Sequence, residues 1–234
     1  MRPEQVIFLP GLLCDSGLWQ AQLDGLTVDL DTKVADLTRA STIKELAHQV
    51  LDEAPQHFAV VGLSMGGYVA QEIVRQVPDR VTHLALINTS ARPDTPETKE
   101  RRAGLIALAH HGKFKGVTPR LLPMLLNAEH LENVAMTKLV MDMAERVGRD
   151  AFIRQQRAIL SRIDSRPTLP QFPAQMHTLV IGGAQDALTP PEHAEEMASL
   201  IPGAKLVILD ECGHLAPIEQ PQRVTALLDG LLQA

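Results

Sequence analysis

The feature that most restricts this chain is an abrupt change of hydrophobic period at one point. Phe58-Ala59-Val60-Val61 is a continuous apolar run, suited to a strand buried on both faces, and it ends at Gly62. Gly62-Leu63-Ser64-Met65-Gly66-Gly67 then opens a helical pattern that runs from about Met65 to Val77 and stops at Pro78. A strand turning straight into a helix is the unit of a parallel sheet, whose neighbouring strands need long crossovers, usually helical. The same alternation recurs along the chain. Val6 to Leu9 reads as a buried strand stopping at Pro10-Gly11, and Lys33-Val34-Ala35-Asp36-Leu37 as a weaker second one. Val81 to Ile87, Thr178 to Ile181 (closed by Gly182-Gly183) and Leu206 to Leu209 supply the rest. The fold class is α/β.

Helix signals fill the gaps. Thr42 and Glu45 form a capping box ahead of an apolar stripe of Ile43, Leu46, Ala47, Val50 and Leu51. Thr189 reads as an N-cap with Pro190 in the first turn, and Val224, Leu227, Leu228 and Leu231 give the last helix its buried face. From 91 to 171 the strand runs vanish. Helical patterns rich in Leu, Met and Ala replace them, broken by Gly104, Gly112, Gly116, Pro119 and Pro123. The expected division is a core of 1–90 and 172–234 with a helical cap inserted at 91–171.

Composition narrows the function classes. At 234 residues there is room for one well-buried core. The net charge of −6 and the lack of any Lys/Arg run argue against a nucleic-acid partner, which needs a basic surface. No apolar stretch approaches the ~20 residues that span a bilayer. The apolar run at Val6 is too short for a signal peptide, so a cytoplasmic protein is expected, as a monomer or homodimer. Two cysteines, Cys14 and Cys212, make no disulfide framework and read as small buried thiols. No metal or cofactor is expected.

The chemistry concentrates in three places. A serine hydroxyl acts as a nucleophile only where it projects into a cleft, which puts Ser64 on a strained turn flanked by Gly62 and Gly66. It also needs a base within reach. Of the nine histidines, His214 alone follows the final strand in a glycine-containing loop, at the same carboxyl edge of the sheet as Ser64. The imidazole in turn needs a carboxylate. Asp186 lies just past the Thr178–Ile181 strand, whereas Asn88-Thr89-Ser90, after Val81–Ile87, offers no acid. Asp210 and Glu211 are too near His214 in sequence to reach its far nitrogen comfortably, and Glu211 is the runner-up. Two backbone donors should receive a developing oxyanion: Met65 N–H, and Leu12 N–H, which Gly11 lets approach closely.

With Phe8-Leu9-Pro10-Gly11, Gly62 to Gly67, Gly183 to Pro190 and Gly213-His214-Leu215 in this order, the chain resembles the α/β-hydrolase superfamily along nearly its whole length. The Gly-Leu-Ser-Met-Gly-Gly form is similar to small bacterial carboxylesterases, enol-lactonases and acyl-ester hydrolases. The resemblance implies a Ser-His-Asp triad of Ser64, His214 and Asp186, a small-molecule ester, thioester or lactone substrate, and a helical cap. It also implies about six parallel strands, with the family's first antiparallel hairpin missing. Pro10-Gly11 replaces the family's usual His-Gly, so the oxyanion loop must be held differently. A lyase, a C–C bond hydrolase or a non-catalytic binder would use the same residues. Leu121, Leu122, Met124, Leu125, Leu126, Met136, Met141 and Met143 suit an acyl-chain lining or, for most of them, packing inside the cap. Arg102, Arg154 and Arg157 suit a substrate carboxylate or, more simply, exposed helix charges.

Overall fold

The computed structural model describes residues 2–112 and 114–234. Among these, six strands form one sheet in the order β2-β1-β3-β4-β5-β6, every adjacent pair parallel. They are β1 (Gln5–Leu9), β2 (Asp31–Val34), β3 (Phe58–Leu63), β4 (Val81–Ile87), β5 (His177–Gly183) and β6 (Lys205–Leu209). Because all run the same way, their carboxyl ends share one edge, and the loops leaving that edge meet there.

The helices are α1 (Gln20–Gly25), α2 (Ile43–Leu51), α3 (Met65–Gln76), α4 (Pro96–His110), α5 (Val134–Leu160), α6 (Pro191–Leu200), α7 (Ala216–Glu219) and α8 (Pro221–Leu232). Strand side chains alternate between faces, and each face has its own core. Ile7, Leu9, Phe58, Val60, Leu84, Leu86 and Val180 pack against apolar residues of α2, α3 and α6. Val6, Phe8, Ala59, Val61, Ala85, Ile87 and Ile181 pack with Leu18, Trp19 and the Val224, Leu228, Leu231 stripe of α8. Trp19 supplies bulk that a chain poor in aromatics otherwise lacks: it is fully buried, 5.1 Å from the Phe8 ring.

Several boundaries differ from the pattern-based reading, each for a local reason. The second strand ends at Val34 because Asp36 accepts hydrogen bonds from both the N–H and the hydroxyl of Thr38, turning the chain there. β3 continues through Gly62 and Leu63, since the turn itself begins only at Ser64. The Thr42 cap of α2 is present, its hydroxyl oxygen accepting the Glu45 N–H. Thr189, by contrast, is no cap: Pro190 holds that position without a side-chain bond, and the Thr189 hydroxyl is engaged elsewhere. His83, on β4, is 1% exposed and stacks on His177 with ring centroids 4.8 Å apart.

Between β4 and β5 the described residues contain helices and turns and no strand. α5 is two helical pieces joined at Gly148, whose φ of 76° interrupts the helix. Leu122, Leu126, Val140 and Met143 pack with Leu18 and Leu215 in one core, so these residues serve packing. Arg102 and Arg154 are structural rather than free: Arg102 pairs with Asp94 at 2.8 Å and donates to Gln156, and Arg154 donates to Thr38 O.

Candidate active site

Ser64 sits at the junction of β3 and α3 with φ 53° and ψ −113°, outside the regions an L-residue normally occupies. Close packing forces this turn. A Cβ on Gly66 would lie 2.0 Å from Leu9 O, and one on Gly62 2.5 Å from Gly66 O, so only glycine lets the helix start this close to the sheet. The loop after β1 closes over the same point: a Cβ on Gly11 would lie 3.5 Å from Ser64 Cβ.

Strain is not confined to Ser64. Among the described residues, the non-glycine positions with positive φ are Leu13, Ser64, Asn88 and Glu211. They follow the carboxyl ends of β1, β3, β4 and β6 respectively. Costs of about 1–3 kcal/mol at each such position persist only where the surroundings over-determine the backbone, and they gather at working sites.

The acid and the imidazole meet. His214 Nδ1 lies 2.8 and 3.0 Å from the two Asp186 oxygens, and both side chains are nearly excluded from water. Asp186 accepts further bonds from the Leu188 and Thr189 N–H groups, the Thr189 hydroxyl (2.6 Å) and Asn88 Nδ2 (2.9 Å). Burial alone would raise its pKa. The neighbouring His214 ring and the Thr189 hydroxyl and N–H outweigh burial and hold Asp186 at about 2, below the ordinary 3.8. A carboxylate facing Nδ1 keeps the neutral ring's proton on that nitrogen and leaves Nε2 as the acceptor. Glu211 is exposed, and the His214 ring bonds to Asp186 instead.

No hydrogen bond joins Ser64 to His214 among the described residues, but the end of β4 links their surroundings. Ser64 N–H donates to Ile87 O (3.0 Å), and the Thr89 hydroxyl donates to Ser64 O (2.7 Å). Asn88, between those two, reaches Asp186 and also Gly213 O (3.1 Å). Ser64, Asp186 and His214 therefore border one rim of the sheet, with the end of β4 between Ser64 and the Asp186–His214 pair. Leu12 N–H lies on the loop after β1 and Met65 N–H on the first residue of α3, next to Ser64, and neither has a hydrogen-bond partner among the described residues.

Several polar residues around these loops carry little clear signal in the sequence. Glu219 has a fully buried side chain that accepts the N–H groups of Gly213 and Leu215 (3.1 Å each), on either side of His214. It also accepts Asn127 N–H at 2.7 Å and faces His130 Nδ1 at 3.0 Å. His214 N–H donates to Leu125 O at 3.0 Å. Gln185 accepts from Cys212 N–H and Asn127 Nδ2. Asn88 carried one usable signal, its place directly after a strand at the carboxyl edge. Nothing in the residues around Glu219 marks it.

Cys14 and Cys212 are buried free thiols, pushed up in pKa mainly by burial (Cys14 to about 12), which leaves them protonated and unreactive. Among the described residues, no group of three or more His, Cys, Asp or Glu is placed to hold a metal ion, and no helix is long and apolar enough to cross a membrane.

Comparison with known proteins agrees with this architecture. A family model described as alpha/beta hydrolase fold matches residues 6–221. The chain is 24% identical over 240 residues to the pimeloyl-[acyl-carrier protein] methyl ester esterase of Nitrosomonas europaea, covering 97% of this chain and 94% of that protein. It superposes on a thermophilic esterase from Thermogutta terrifontis with a TM-score of 0.85 and 29% identity, covering 98% and 89% of the two chains. The enol-lactonase of Burkholderia xenovorans LB400 shares the fold, with a TM-score of 0.87 at 23% identity and 100% and 93% coverage. From its parallel sheet, its strained strand-to-helix turn and this match over most of its length, the chain belongs to the α/β-hydrolase fold family.

Proposed function

We propose that this protein is a serine hydrolase that cleaves a small carboxylic ester, thioester or lactone through an acyl-enzyme on Ser64. The observation that carries this reading is the buried His214–Asp186 pair on the rim where Ser64 is held in a strained turn. Ser64 Oγ attacks the carbonyl carbon while His214 Nε2 takes its proton, and Asp186, ionised throughout, stabilises the imidazolium. The unpartnered N–H groups of Leu12 and Met65 receive the tetrahedral oxyanion. Collapse of that intermediate expels the alcohol or thiol, which takes the proton from His214. Water, deprotonated by the same nitrogen, then releases the acid. The names of the Nitrosomonas and Thermogutta relatives, both esterases, favour an ester over other acyl compounds.

The stretch 91–171 acts in this scheme as a cap. Its support is Leu125 O on His214 N–H, and the approach of residues 126 and 127 to Gly213, where a Cβ would lie 2.6 Å from Asn127 N.

Two measurements test the proposal together. A fluorophosphonate probe should label Ser64, located by peptide mass mapping, and a short-chain p-nitrophenyl ester should be turned over by the unlabelled enzyme alone. Absence of labelling, with turnover untouched by Ser64→Ala, would remove the serine mechanism. Esters, thioesters and lactones of graded chain length would then define the acyl group.

A further inference from the structure

The loop that carries Leu12 is held by a residue of the insertion. Cys14 N–H donates to Gly11 O at 3.1 Å, closing a four-residue turn with Leu12 and Leu13 in the middle. Leu13 has φ 59°, in the left-handed region where its Cβ crowds the following carbonyl oxygen. A positive φ at the third turn residue belongs to the type II family, which normally places glycine there; the type I alternative turns the Leu12–Leu13 peptide over and suits leucine better. Something must hold the less comfortable form.

Gln155, on the second piece of α5, does so. It is 1% exposed, and its Oε1 accepts Leu13 N–H at 3.1 Å. Its Nε2 donates to Leu37 O at 3.2 Å, which fixes which end of the amide faces Leu13, since the reverse would set oxygen against oxygen and N–H against N–H. With the Leu12–Leu13 peptide turned over, Leu12 O would face Gln155 Oε1, an acceptor against an acceptor. The same Leu12 O faces the Cys14 thiol at 3.6 Å in the observed turn. A buried acceptor thus selects one of two peptide orientations in the loop whose Leu12 N–H has no other partner.

We infer that Gln155 is a positioning residue: Leu12 N–H belongs to the preceding Gly11–Leu12 peptide, and by accepting Leu13 N–H the Gln155 side chain tethers the turn that carries this donor, so the insertion fixes where the oxyanion donor sits. This rests on the acyl-transfer reading above. It also accounts for how a loop with Pro10-Gly11 is kept in place: the anchor comes from 142 residues away in the chain.

Gln155→Met keeps the volume and removes the acceptor. The expected result is a kcat on a p-nitrophenyl ester lower by about 10- to 100-fold, less than the loss of a whole oxyanion donor, with KM within about threefold. Affinity for a trifluoromethyl ketone, which forms a Ser64 adduct bearing the oxyanion, should fall by the same factor as kcat/KM, while affinity for the product acid stays unchanged. Gln155→Glu, whose neutral buried carboxyl can both accept from Leu13 and donate to Leu37 O, should recover most of the loss. If Gln155→Met does not fold, Gln155→Asn draws the amide back by one carbon and tests the same contact. A kcat within twofold of the parent, or equal losses for ketone and product acid, overturns the inference. Ser64→Ala in the same assay separates the two ideas: full activity there sinks the serine mechanism itself, whereas a dead Ser64→Ala beside an unaffected Gln155→Met sinks only the role of Gln155.

Discussion

The two halves of the site are built by opposite means. Around Ser64 the backbone is held by steric limits: Gly62 and Gly66 allow β3, α3 and Leu9 to pack at distances no Cβ would permit. Around His214 the hold is polar. Asp186 collects donors from Asn88, Leu188, Thr189 and His214, and Glu219 collects those of Gly213, Leu215, Asn127 and His130. Steric enforcement tolerates no added atom and needs few partners. A polar cage tolerates small shifts but loses much when one buried acceptor is removed, because several donors are stranded at once.

Substitutions can break this contrast in order of expected effect. Ser64→Ala and His214→Ala should each lower kcat by on the order of 10⁴ to 10⁶, with Asp186→Asn somewhat milder; steady-state kinetics on a p-nitrophenyl ester decides. Retained activity in Asp186→Asn, with loss in Glu211→Gln, would move the acid to Glu211. Gly66→Ala should destabilise the fold by about 4 kcal/mol or more in urea unfolding, since its new carbon meets Leu9 O at 2.0 Å. Glu219→Gln should cost about 3 kcal/mol and lower kcat as well, whereas a purely local packing role for Glu219 would leave kcat of the folded fraction unchanged.

The smallest effect sharpens the polar side. Asp186 has a folded pKa of about 2, below the ordinary 3.8, so the stability it contributes is fully present above about pH 4 and is lost as pH falls toward 2. Comparing urea midpoints between pH 5 and pH 2 should show a smaller acid loss in Asp186→Asn than in the parent. Equal slopes would mean that the carboxylate is not held in the charged form by its neighbours.

Legibility follows the same divide. Alternating apolar runs and helix stripes place every strand to within a few residues, because periodicity is local and survives in one dimension. The Gly-x-Ser-x-Gly turn is readable for the same reason: its steric demand is met by adjacent residues. Asp186 and His214 stand out in the sequence only by their positions after strands, and the fold sets them 2.8 Å apart. The sequence pattern makes Thr189 a helix cap because hydroxyls before helices usually are; in the structure its hydroxyl donates instead to Asp186 at 2.6 Å.

By itself, the order of residues determined the parallel sheet, the glycine-bounded turn at Ser64 and the set of loops that could carry chemistry, since all of these depend on neighbours in the chain. Tertiary structure alone decided that Asn88 and Thr189 would brace Asp186, that Glu219 would flank His214 on both sides, and that Gln155 would reach Leu13. Each of these is a buried polar side chain meeting a partner that local pattern does not specify. A lone polar residue has no period, and its bond exists only once distant segments have packed around it.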